Sequence, residues 1–492
     1  MGVDPRQPVL VGIGTCMQRE QDFTRAREPM DLMLAAVRNA GADAAGDKAA
    51  EALAGVQFIA VPKGRWRYRN PAGEIARAIG ARSATTVLAS VGVLQQSLIG
   101  DACGRIAAGE IDSALVAGAD AGYRLLRAKQ AGERSAERQQ QDDPDISLES
   151  AEELLHPAEL HAGIRMPVAL YAILESAFRA RKGWSVAEHR QRLGKLYQRF
   201  SEVAAANPDA WRRQPLSAAD ISAPSQRNPM QAFPYTRMHC SSWNVDQAAA
   251  LLICSAARAE ALGIHSSRWV HARASTECNH MLPVSARADL ARCEGAELAG
   301  VAALEAAGVA ASQLDLVELY SCFPVAVESC AEALGLAPGR DLTVTGGMPF
   351  AGGPFNNYVL QATCRMAQLL RRGHAQVGLQ SSISGIMTKQ AFGIWARTPA
   401  ANGFSLRDVT RDAGKNLPPR VVVQGYHGNG VVAGYTVLHE HGQAPRALVL
   451  ADTAGGCRAL AWNTDAALID RIEQHEFCGA PIALQDGVFT AA

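Results

Sequence analysis

Two side chains with acid–base or nucleophilic chemistry stand two residues apart in the segment Tyr320-Ser321-Cys322-Phe323. The apolar run before it, residues 316–319, predicts a short buried strand, and alternation along a strand places Tyr320 and Cys322 on one side. A tyrosine hydroxyl can donate a proton to an enolate or alkoxide, and a thiol can act as a nucleophile. The alternatives are a packed tyrosine with its hydroxyl hydrogen-bonded and a buried structural thiol. For Cys322 we favour the structural thiol.

A glycine-rich loop, TGGMPFAGGP, follows in residues 345–354. Four glycines within eight residues allow a ligand to approach the backbone closely. Gly352, Gly353 and the following Asn357 are therefore candidates to contact a ligand oxygen, although a tight packing turn would need the same glycines. Asn356 and Asn357 precede the next helix, and capping of that helix is the favoured role for both.

The rest of the chain supplies the elements that position these segments. Apolar runs predict strands in residues 8–14, 56–61, 85–88, 113–117 and 248–253, with helices between them. Strands that alternate with helices predict an α/β fold whose sheet is covered on both faces. Two successive helices, residues 167–182 and 185–206, predict a helical insertion over the sheet. After about residue 400, short strands separated by Gly, His and Asn turns predict a small β-rich domain of OB-like size.

An internal repeat is visible in the sequence. Residues 106–109 followed by 113–116 resemble residues 370–373 followed by 375–378, and each copy reads as a helix end, a glycine and a buried strand. Two matching halves would place two loops around one central site.

Composition limits the classes of function. A chain of 492 residues is long enough for two or three domains. Lys+Arg and Asp+Glu both total 48, so the chain offers no basic field for nucleic acid or an anionic membrane. Eleven cysteines without a Cys-x-x-Cys pair indicate reduced thiols. The chain start lacks a signal-peptide pattern and no run of 18 apolar residues occurs, so we expect a cytoplasmic protein without a membrane partner.

Four motifs, taken in their order and spacing, resemble the thiolase superfamily. They are GEIDSALVAG at residues 109–118, NVDQAAA at residues 244–250, Tyr320-Ser321-Cys322-Phe323, and the loop of residues 346–357. Within the superfamily the resemblance is to the sterol-carrier-protein-like thiolases and to thiolase-like proteins often labelled acetyl-CoA acetyltransferases. It covers about residues 6–400 and implies a duplicated α/β/α/β/α fold with a helical lid.

This chain departs from the family's catalytic residues. Family enzymes use a nucleophilic Cys after the third strand, an Asn or His at a strand end, a Gly-His-Pro histidine and a Cys-x-Gly thiol. Here Ser90 falls at the nucleophile position, Tyr320 replaces the strand-end histidine, Gly353 replaces the Gly-His-Pro histidine, and residues 380–385 hold no thiol. A serine needs a positioned base, and Gly353 stands where that base would be. Ordinary thiolytic or Claisen chemistry is therefore not expected.

The resemblance implies a protein that handles acyl-CoA thioesters without the usual thiol chemistry. The expected reaction is formation or cleavage of a C–C bond next to a thioester, with Tyr320 as acid and Gly352, Gly353 and Asn357 around an oxyanion hole. A retro-aldol cleavage of a β-hydroxyacyl-CoA is an alternative that needs no acyl-enzyme, and some thiolase-like proteins that resemble such aldolases work with a small OB-like partner. A non-catalytic acyl-CoA or acyl-carrier binding protein is a second alternative. An active thiolase that uses Cys322 is a third.

The resemblance also divides the chain into four parts. These are an N-terminal half (residues 1–123 and 223–257), a lid (124–222), a C-terminal half (258–401) and an OB-like domain (402–492).

The lid residues Arg179 and Lys182 are candidates for the CoA phosphates, although a solvated helix face explains the same charges. No bound cofactor and no metal site is predicted, because His239-Cys240 lacks a second ligand pair at suitable spacing. A monomer or a homodimer is expected.

Overall fold

The computed structural model describes residues 3–150, 153–415 and 417–491. Positions 1, 2, 151, 152, 416 and 492 fall inside the predicted domain ranges but lie outside the described residues. The strands are β1 (Pro8–Gln18), β2 (Phe58–Pro62), β3 (Thr85–Ala89), β4 (Ser113–Ala121), β5 (Ile146–Leu148), β6 (Met230–Ala232), β7 (Tyr235–Thr236), β8 (Asp246–Ser255), β9 (Val270–Cys278), β10 (Leu316–Glu318), β11 (Val377–Ser384), β12 (Lys389–Ala396), β13 (Ser405–Asp408), β14 (Val422–Val423), β15 (Gly428–Leu438), β16 (Arg446–Thr453), β17 (Arg458–Asn463), β18 (Pro481–Gln485) and β19 (Val488–Ala491).

The helices carry the remaining regular structure. They are α1 (Pro29–Ala45), α2 (Ala49–Ala54), α3 (Pro71–Ile79), α4 (Gln95–Ala108), α5 (Gly122–Gln130), α6 (Pro157–His161), α7 (Pro167–Lys182), α8 (Val186–Ala206), α9 (Ala218–Ser222), α10 (Ala256–Ala261), α11 (Glu294–Ala307), α12 (Pro324–Ala333), α13 (Gly347–Phe350), α14 (Tyr358–Arg371) and α15 (Ala466–Gln474). Among the described residues, no helix is long and apolar enough to cross a membrane.

The main sheet contains the same arrangement of strands twice. Its order is β10-β11-β12-β9-β1-β8-β4-β2-β3-β5, with β13 beside β9. The two halves meet where β1 and β9 pair antiparallel at Val9 and His271. On either side of this junction, the strand next to it is antiparallel and the two beyond pair in parallel. This mirrored order confirms the predicted duplicated α/β fold.

Two helices form the buried layer between the half-sheets. α4 and α14 pack in one hydrophobic cluster with the inner faces of both halves, through residues that include Leu98, Ile106, Leu360 and Leu370. Helix α1 covers the outer face of the N-terminal half, and α11 and α12 cover that of the C-terminal half. The layers therefore run α/β/α/β/α, as predicted.

The lid helices and the barrel complete the molecule. α7 and α8 lie where the sequence predicts them, and Ser185 caps α8 by accepting a hydrogen bond from the Glu188 N–H group at 3.2 Å. Strands β15, β16, β17, β19 and β18 close a barrel, which confirms the predicted OB-like fold.

The domain boundaries stay predictions. Ser405–Asp408, beyond the boundary at residue 402, pairs with β9 of the main sheet.

Candidate active site

Tyr320 and Cys322 lie together just beyond the end of β10. The Tyr320 N–H group donates to the Ser381 hydroxyl of β11 at 2.8 Å, which continues the strand pairing by one side-chain contact. Both residues pack in one small cluster with Met348 and Tyr358, and the Tyr320 and Tyr358 rings meet edge to face at 5.7 Å. Burial raises the pKa of Tyr320. Its hydroxyl therefore keeps its proton at neutral pH and can act as a donor, not as a base.

The Cys322 thiol is held in its protonated form. Burial raises the pKa of Cys322 to about 12, against a hydrogen bond with the Tyr171 side chain that lowers it. The Tyr171 ring in turn stacks on Phe323 at 4.4 Å between centroids. A thiolate, not a thiol, is the nucleophile in acyl transfer, so this environment disfavours covalent catalysis by Cys322.

We expect Cys322 to resist alkylation by iodoacetamide in the folded protein. With a pKa of about 12, only about one thiol in ten thousand is ionised at pH 8. Half-buried Cys457 on the barrel is the comparison site, and it should be labelled at least about 100-fold faster. Peptide mass spectrometry at timed intervals measures both rates. Equal labelling of the two cysteines at pH 8 would contradict the assigned environment, and in urea the difference should disappear.

Protein groups already accept hydrogen bonds from most backbone N–H groups of the glycine loop. The N–H groups of Gly346 and Gly347 donate to the hydroxyls of Thr343 and Thr345 at 2.9 and 3.0 Å. The Met348 N–H group donates to the Ser321 hydroxyl at 2.9 Å, and the Gly353 N–H group donates to the Ser242 carbonyl at 2.9 Å. The packing-turn interpretation thus accounts for these four donors, and Gly353 has no free N–H group to offer an oxyanion.

The position of the family's Gly-His-Pro histidine is filled by other atoms. A Cβ atom added at Gly353 would lie 2.1 Å from the Ser241 hydroxyl oxygen and 3.1 Å from the Met348 terminal methyl. Gly352 adopts a φ of 102°, and a Cβ there would meet the Gln247 amide oxygen at 2.2 Å. An imidazole therefore has no room at residue 353. The chain lacks the family's base for two reasons: the residue is different, and other side chains fill the space of the imidazole.

Asn357 joins the two halves and does not cap its helix. It stands at the N-cap of α14 without a side-chain capping bond, so the capping role predicted for it is wrong. The side chain is 1% exposed, and neither amide atom has a hydrogen-bond partner among the described residues. Its oxygen faces Gly118 of β4, where a Cβ would be 2.4 Å away. Close approach to Asn357 is the physical reason for glycine at the end of the GEIDSALVAG motif.

Ser90 lies in a second polar group at the start of the central helix layer. It follows β3, is half-buried, and its hydroxyl accepts a hydrogen bond from the Ser150 N–H group at 3.2 Å. The Lys389 ammonium donates to the Ser150 hydroxyl at 3.0 Å, and only 4% of Lys389 is exposed. We call Ser90, Ser150 and Lys389 the Ser90 cluster. Sequence reasoning missed Lys389, which reaches the cluster from the first position of β12, because its contact with Ser150 joins residues 239 positions apart.

The Ser90 cluster and the Tyr320 cluster lie at the same end of the C-terminal half-sheet. Lys389 pairs with Ser384 across the β11–β12 hairpin, and Tyr320 bonds Ser381 on the same strand. Ser381 and Ser384 are three residues apart along β11, so their backbone atoms are separated by about 10 Å. Between them Ser382, within the region that corresponds to the Cys-x-Gly motif, is 1% exposed and its hydroxyl has no partner within the described part of the chain.

The two basic lid residues point elsewhere. Arg179 is fully buried, pairs with Glu476 of the barrel at 2.8 Å and donates to the Tyr435 hydroxyl at 2.9 Å. Lys182 pairs with Glu332 of α12 at 2.5 Å. These contacts attach the lid to the barrel and to the C-terminal half, and the structure does not bring either residue to Tyr320 or Ser90.

Comparison with known proteins gives structural relatives only. No family model matches the chain, and no curated protein matches it by sequence. A monomeric SCP2-thiolase-like protein type 1 from Mycobacterium smegmatis is 27% identical over 100% of both chains, with a TM-score of 0.82. An Ltp2–ChsH2(DUF35) aldolase is 18% identical over 80% of this chain and 98% of its own, with a TM-score of 0.59. The dimeric peroxisomal thiolase of Saccharomyces cerevisiae is 16% identical over 81% of this chain and 99% of its own, with a TM-score of 0.56.

The mirrored half-sheets and the central helix pair form the fold that these neighbours share. The 27% identity to the SCP2-thiolase-like protein over the whole of both chains supports assignment to the thiolase superfamily. Within the superfamily it groups with the SCP2-thiolase-like proteins, because its similarity to one of them extends through the lid and the C-terminal barrel.

Proposed function

We propose that this protein binds acyl-CoA thioesters and acts on the C–C bond next to the thioester without forming an acyl-cysteine. The observation that carries the proposal is the state of Cys322, the thiol that the family motif retains. It is protonated by burial, and the place of the base that would activate a thiol is filled by Ser241 and Met348. Covalent acyl transfer requires a thiolate nucleophile and the base that generates it. Cleavage of a β-hydroxyacyl thioester requires no thiolate: a group in the site or a water molecule accepts the hydroxyl proton, and an acid protonates the enolate.

In this proposal Tyr320 is the proton donor. A buried phenol with a raised pKa stays protonated, and it can donate to an oxygen that gains negative charge as a C–C bond breaks or forms. The Lys389 ammonium, nearly buried at the other end of the same site, supplies positive charge for a thioester oxygen or an enolate. Coenzyme A enters as part of the substrate.

A retro-aldol cleavage is the reaction of this class that we favour for the first test. Cleavage of a β-hydroxyacyl-CoA gives an aldehyde and a shorter acyl-CoA, and no acyl group is transferred to the protein. One structure with this fold is described as an Ltp2–ChsH2(DUF35) aldolase. The barrel that this chain carries after its thiolase-like part is a further reason to test aldol chemistry before thiolysis.

The experiment measures binding, turnover and covalent labelling separately. Titration calorimetry with acetyl-CoA and octanoyl-CoA should show binding with Kd below about 100 μM. A 3-hydroxyacyl-CoA should release aldehyde, and intact-mass analysis after incubation with acetyl-CoA should show no added acetyl group. Acetylation at Cys322 would overturn the proposal. Binding without turnover would support the non-catalytic alternative in its place.

The Tyr320→Phe variant tests the proton donor. Loss of one positioned acid should lower kcat by about 10²-fold or more, with the Kd for acyl-CoA within about twofold of wild type. Tyr426→Phe is the matched control, because Tyr426 is a tyrosine on the barrel whose hydroxyl makes only a 3.5 Å contact with Asn429. An unchanged kcat in Tyr320→Phe would remove the assigned role.

A further inference from the structure

A largely buried group of two carboxylates and one imidazole lies between the lid and the C-terminal half, apart from the Tyr320 and Ser90 clusters. It consists of Glu175 on α7, His189 on α8 and Glu328 on α12. Glu175 and His189 are 0% exposed, and the Glu328 side chain is 15% exposed. Three separate helices thus bring one ligand atom each to a common point, which sequence spacing alone cannot reveal.

The distances within this group match those between ligands of a metal ion. The His189 Nε2 atom lies 3.0 Å from a Glu175 oxygen and 3.5 Å from a Glu328 oxygen, and all three atoms lie within 4.8 Å of one another. Bonds of about 2.1 Å that meet at about 90–110° separate two ligand atoms by about 3.0–3.4 Å. The two separations from His189, 3.0 and 3.5 Å, are close to this range, and the separation of the two carboxylate oxygens is at most 4.8 Å.

The hydrogen bonding of the same atoms points to a missing ligand. Among the described residues, the facing atoms of Glu175, His189 and Glu328 lie at ion-pair distance from one another, but none of them is aligned for a hydrogen bond. Glu175 uses its other oxygen to accept from the Tyr235 hydroxyl at 2.5 Å, which fixes its orientation. Buried polar atoms normally have partners, so atoms that converge without bonding indicate a group that bonds to all of them.

Charge favours a cation as that group. Two carboxylates within a few ångströms of each other in a buried site repel strongly unless positive charge lies between them. Burial lowers the pKa of His189, but its two carboxylate partners raise it to about 9, so the imidazolium supplies one positive charge when no metal is bound. A divalent cation that displaces the imidazole proton supplies two. Aromatic side chains contact two of the three residues: the Trp184 ring stacks on His189 at 5.6 Å, and the Tyr235 hydroxyl contacts Glu175 at 2.5 Å. Such surroundings exclude water and strengthen the attraction between a cation and its ligands.

We propose that Glu175, His189 and Glu328 form a binding site for one divalent first-row transition-metal ion. One imidazole and two carboxylates suit Zn²⁺, Mn²⁺ or Fe²⁺, whereas Mg²⁺ and Ca²⁺ prefer oxygen ligands alone. The partly exposed side of Glu328 is the route of entry. Because the ligands lie on α7, α8 and α12, the ion fastens both lid helices to the helix that follows Cys322. The site does not depend on the acyl-CoA proposal.

Metal binding is tested on the full-length protein stripped with a chelator and dialysed into metal-free buffer. Equilibrium dialysis against Zn²⁺ or Mn²⁺, read by elemental mass spectrometry, should give about one ion per chain with Kd below about 10 μM. Mg²⁺ at the same concentration should not compete. Saturating Zn²⁺ should raise Tm by at least about 3 °C. Co²⁺ in place of Zn²⁺ should give a visible absorption spectrum that reports the imidazole ligand.

Two ligand variants and one control locate the ion. Glu328→Gln and His189→Gln should each weaken Zn²⁺ binding at least about 100-fold and abolish the Co²⁺ spectrum. His427→Gln is the control, because exposed His427 also faces a carboxylate, Asp486, at 2.8 Å. If circular dichroism shows that His189→Gln does not fold, the Zn²⁺ affinity of Glu328→Gln alone tests the proposal. Glu328→Asp keeps a carboxylate and should retain binding. Absence of binding at 10 μM, or wild-type affinity in Glu328→Gln, would overturn the proposal.

Discussion

Replacing Glu318 by alanine is expected to lower the free energy of unfolding by about 4–5 kcal/mol. The Glu318 carboxylate is buried at the end of β10 and accepts hydrogen bonds from the N–H groups of Val344 and Thr345 at 2.7 and 2.9 Å. It also accepts from the hydroxyls of Thr343 and Tyr358 at 3.0 and 2.5 Å. Alanine would leave the two N–H groups in an apolar interior without an acceptor, and each such group costs about 1–3 kcal/mol. The Tyr358 and Thr343 hydroxyls would keep only the Thr345 hydroxyl, at 2.6 and 3.3 Å, as a partner.

The matched control for this prediction is Glu318→Gln. The amide oxygen of glutamine can keep the bonds to the Val344 and Thr345 N–H groups, and its NH₂ group can donate to the Tyr358 hydroxyl. We expect a loss of about 1–2 kcal/mol for this variant. Urea denaturation followed by tryptophan fluorescence measures both. If glutamine and alanine cost the same, the carboxylate does not hold the loop to β10, and the role assigned to these bonds is wrong.

The parts of the fold that depend on local patterns are predictable from the sequence. Continuous apolar runs give the buried strands β1, β3 and β4, and the Ser185 cap with the following periodicity gives α8 within one residue. The repeat of helix, glycine and strand reflects the equivalent roles of α4 and α14, since both helices end in a glycine with positive φ before a buried strand. The sequence predicts these features correctly because the interactions that determine them act between residues no more than about four positions apart.

The candidate site depends on contacts between distant segments, and sequence reasoning recovered only part of it. The loss of the family's base is visible as Gly353, but the filling of its place by Ser241 is a contact across 112 positions of chain. The sequence is compatible with a solvent-exposed Arg179 on the lid, but the side chain is buried in an ion pair with Glu476 of the barrel. Asn357 has the residue type and position of a helix cap, and packing against Gly118 overrides that preference.

Lid and glycine loop are in direct backbone contact, and this contact explains how a substitution in either can affect the other. Gly347 leaves the space that the Phe200 ring of α8 fills, because a Cβ there would lie 2.4 Å from the ring. The Asn207 side chain, just after α8, donates to the Thr345 carbonyl at 3.0 Å. A loop that is fixed by its own hydroxyl–amide bonds on one side and by a lid helix on the other has little freedom to close around a ligand. Movement of the site therefore requires movement of α8.

Replacing Gly346 by alanine is expected to lower the free energy of unfolding by about 3–4 kcal/mol and to loosen the lid. Gly346 adopts a φ of 102°, where a non-glycine residue is strained. Its added Cβ would also lie 2.3 Å from the Ala204 Cβ and 2.4 Å from the Ala204 Cα, so the backbone of α8 would have to shift. Loss of stability by urea denaturation and faster proteolysis within residues 186–206 are the two measurements.

Gly335→Ala separates the backbone effect from the packing effect. Gly335 also has a positive φ, 62°, but nothing lies within 4 Å of an added Cβ, so only the conformational cost of about 1–2 kcal/mol applies there. Both variants place alanine at a positive φ, but 102° is farther than 62° from the left-handed conformation that alanine can adopt. The difference between the two variants is therefore an upper limit for the cost of the contact with Ala204. Equal destabilisation would mean that α8 yields without cost, and the lid would then be free to move independently of the glycine loop.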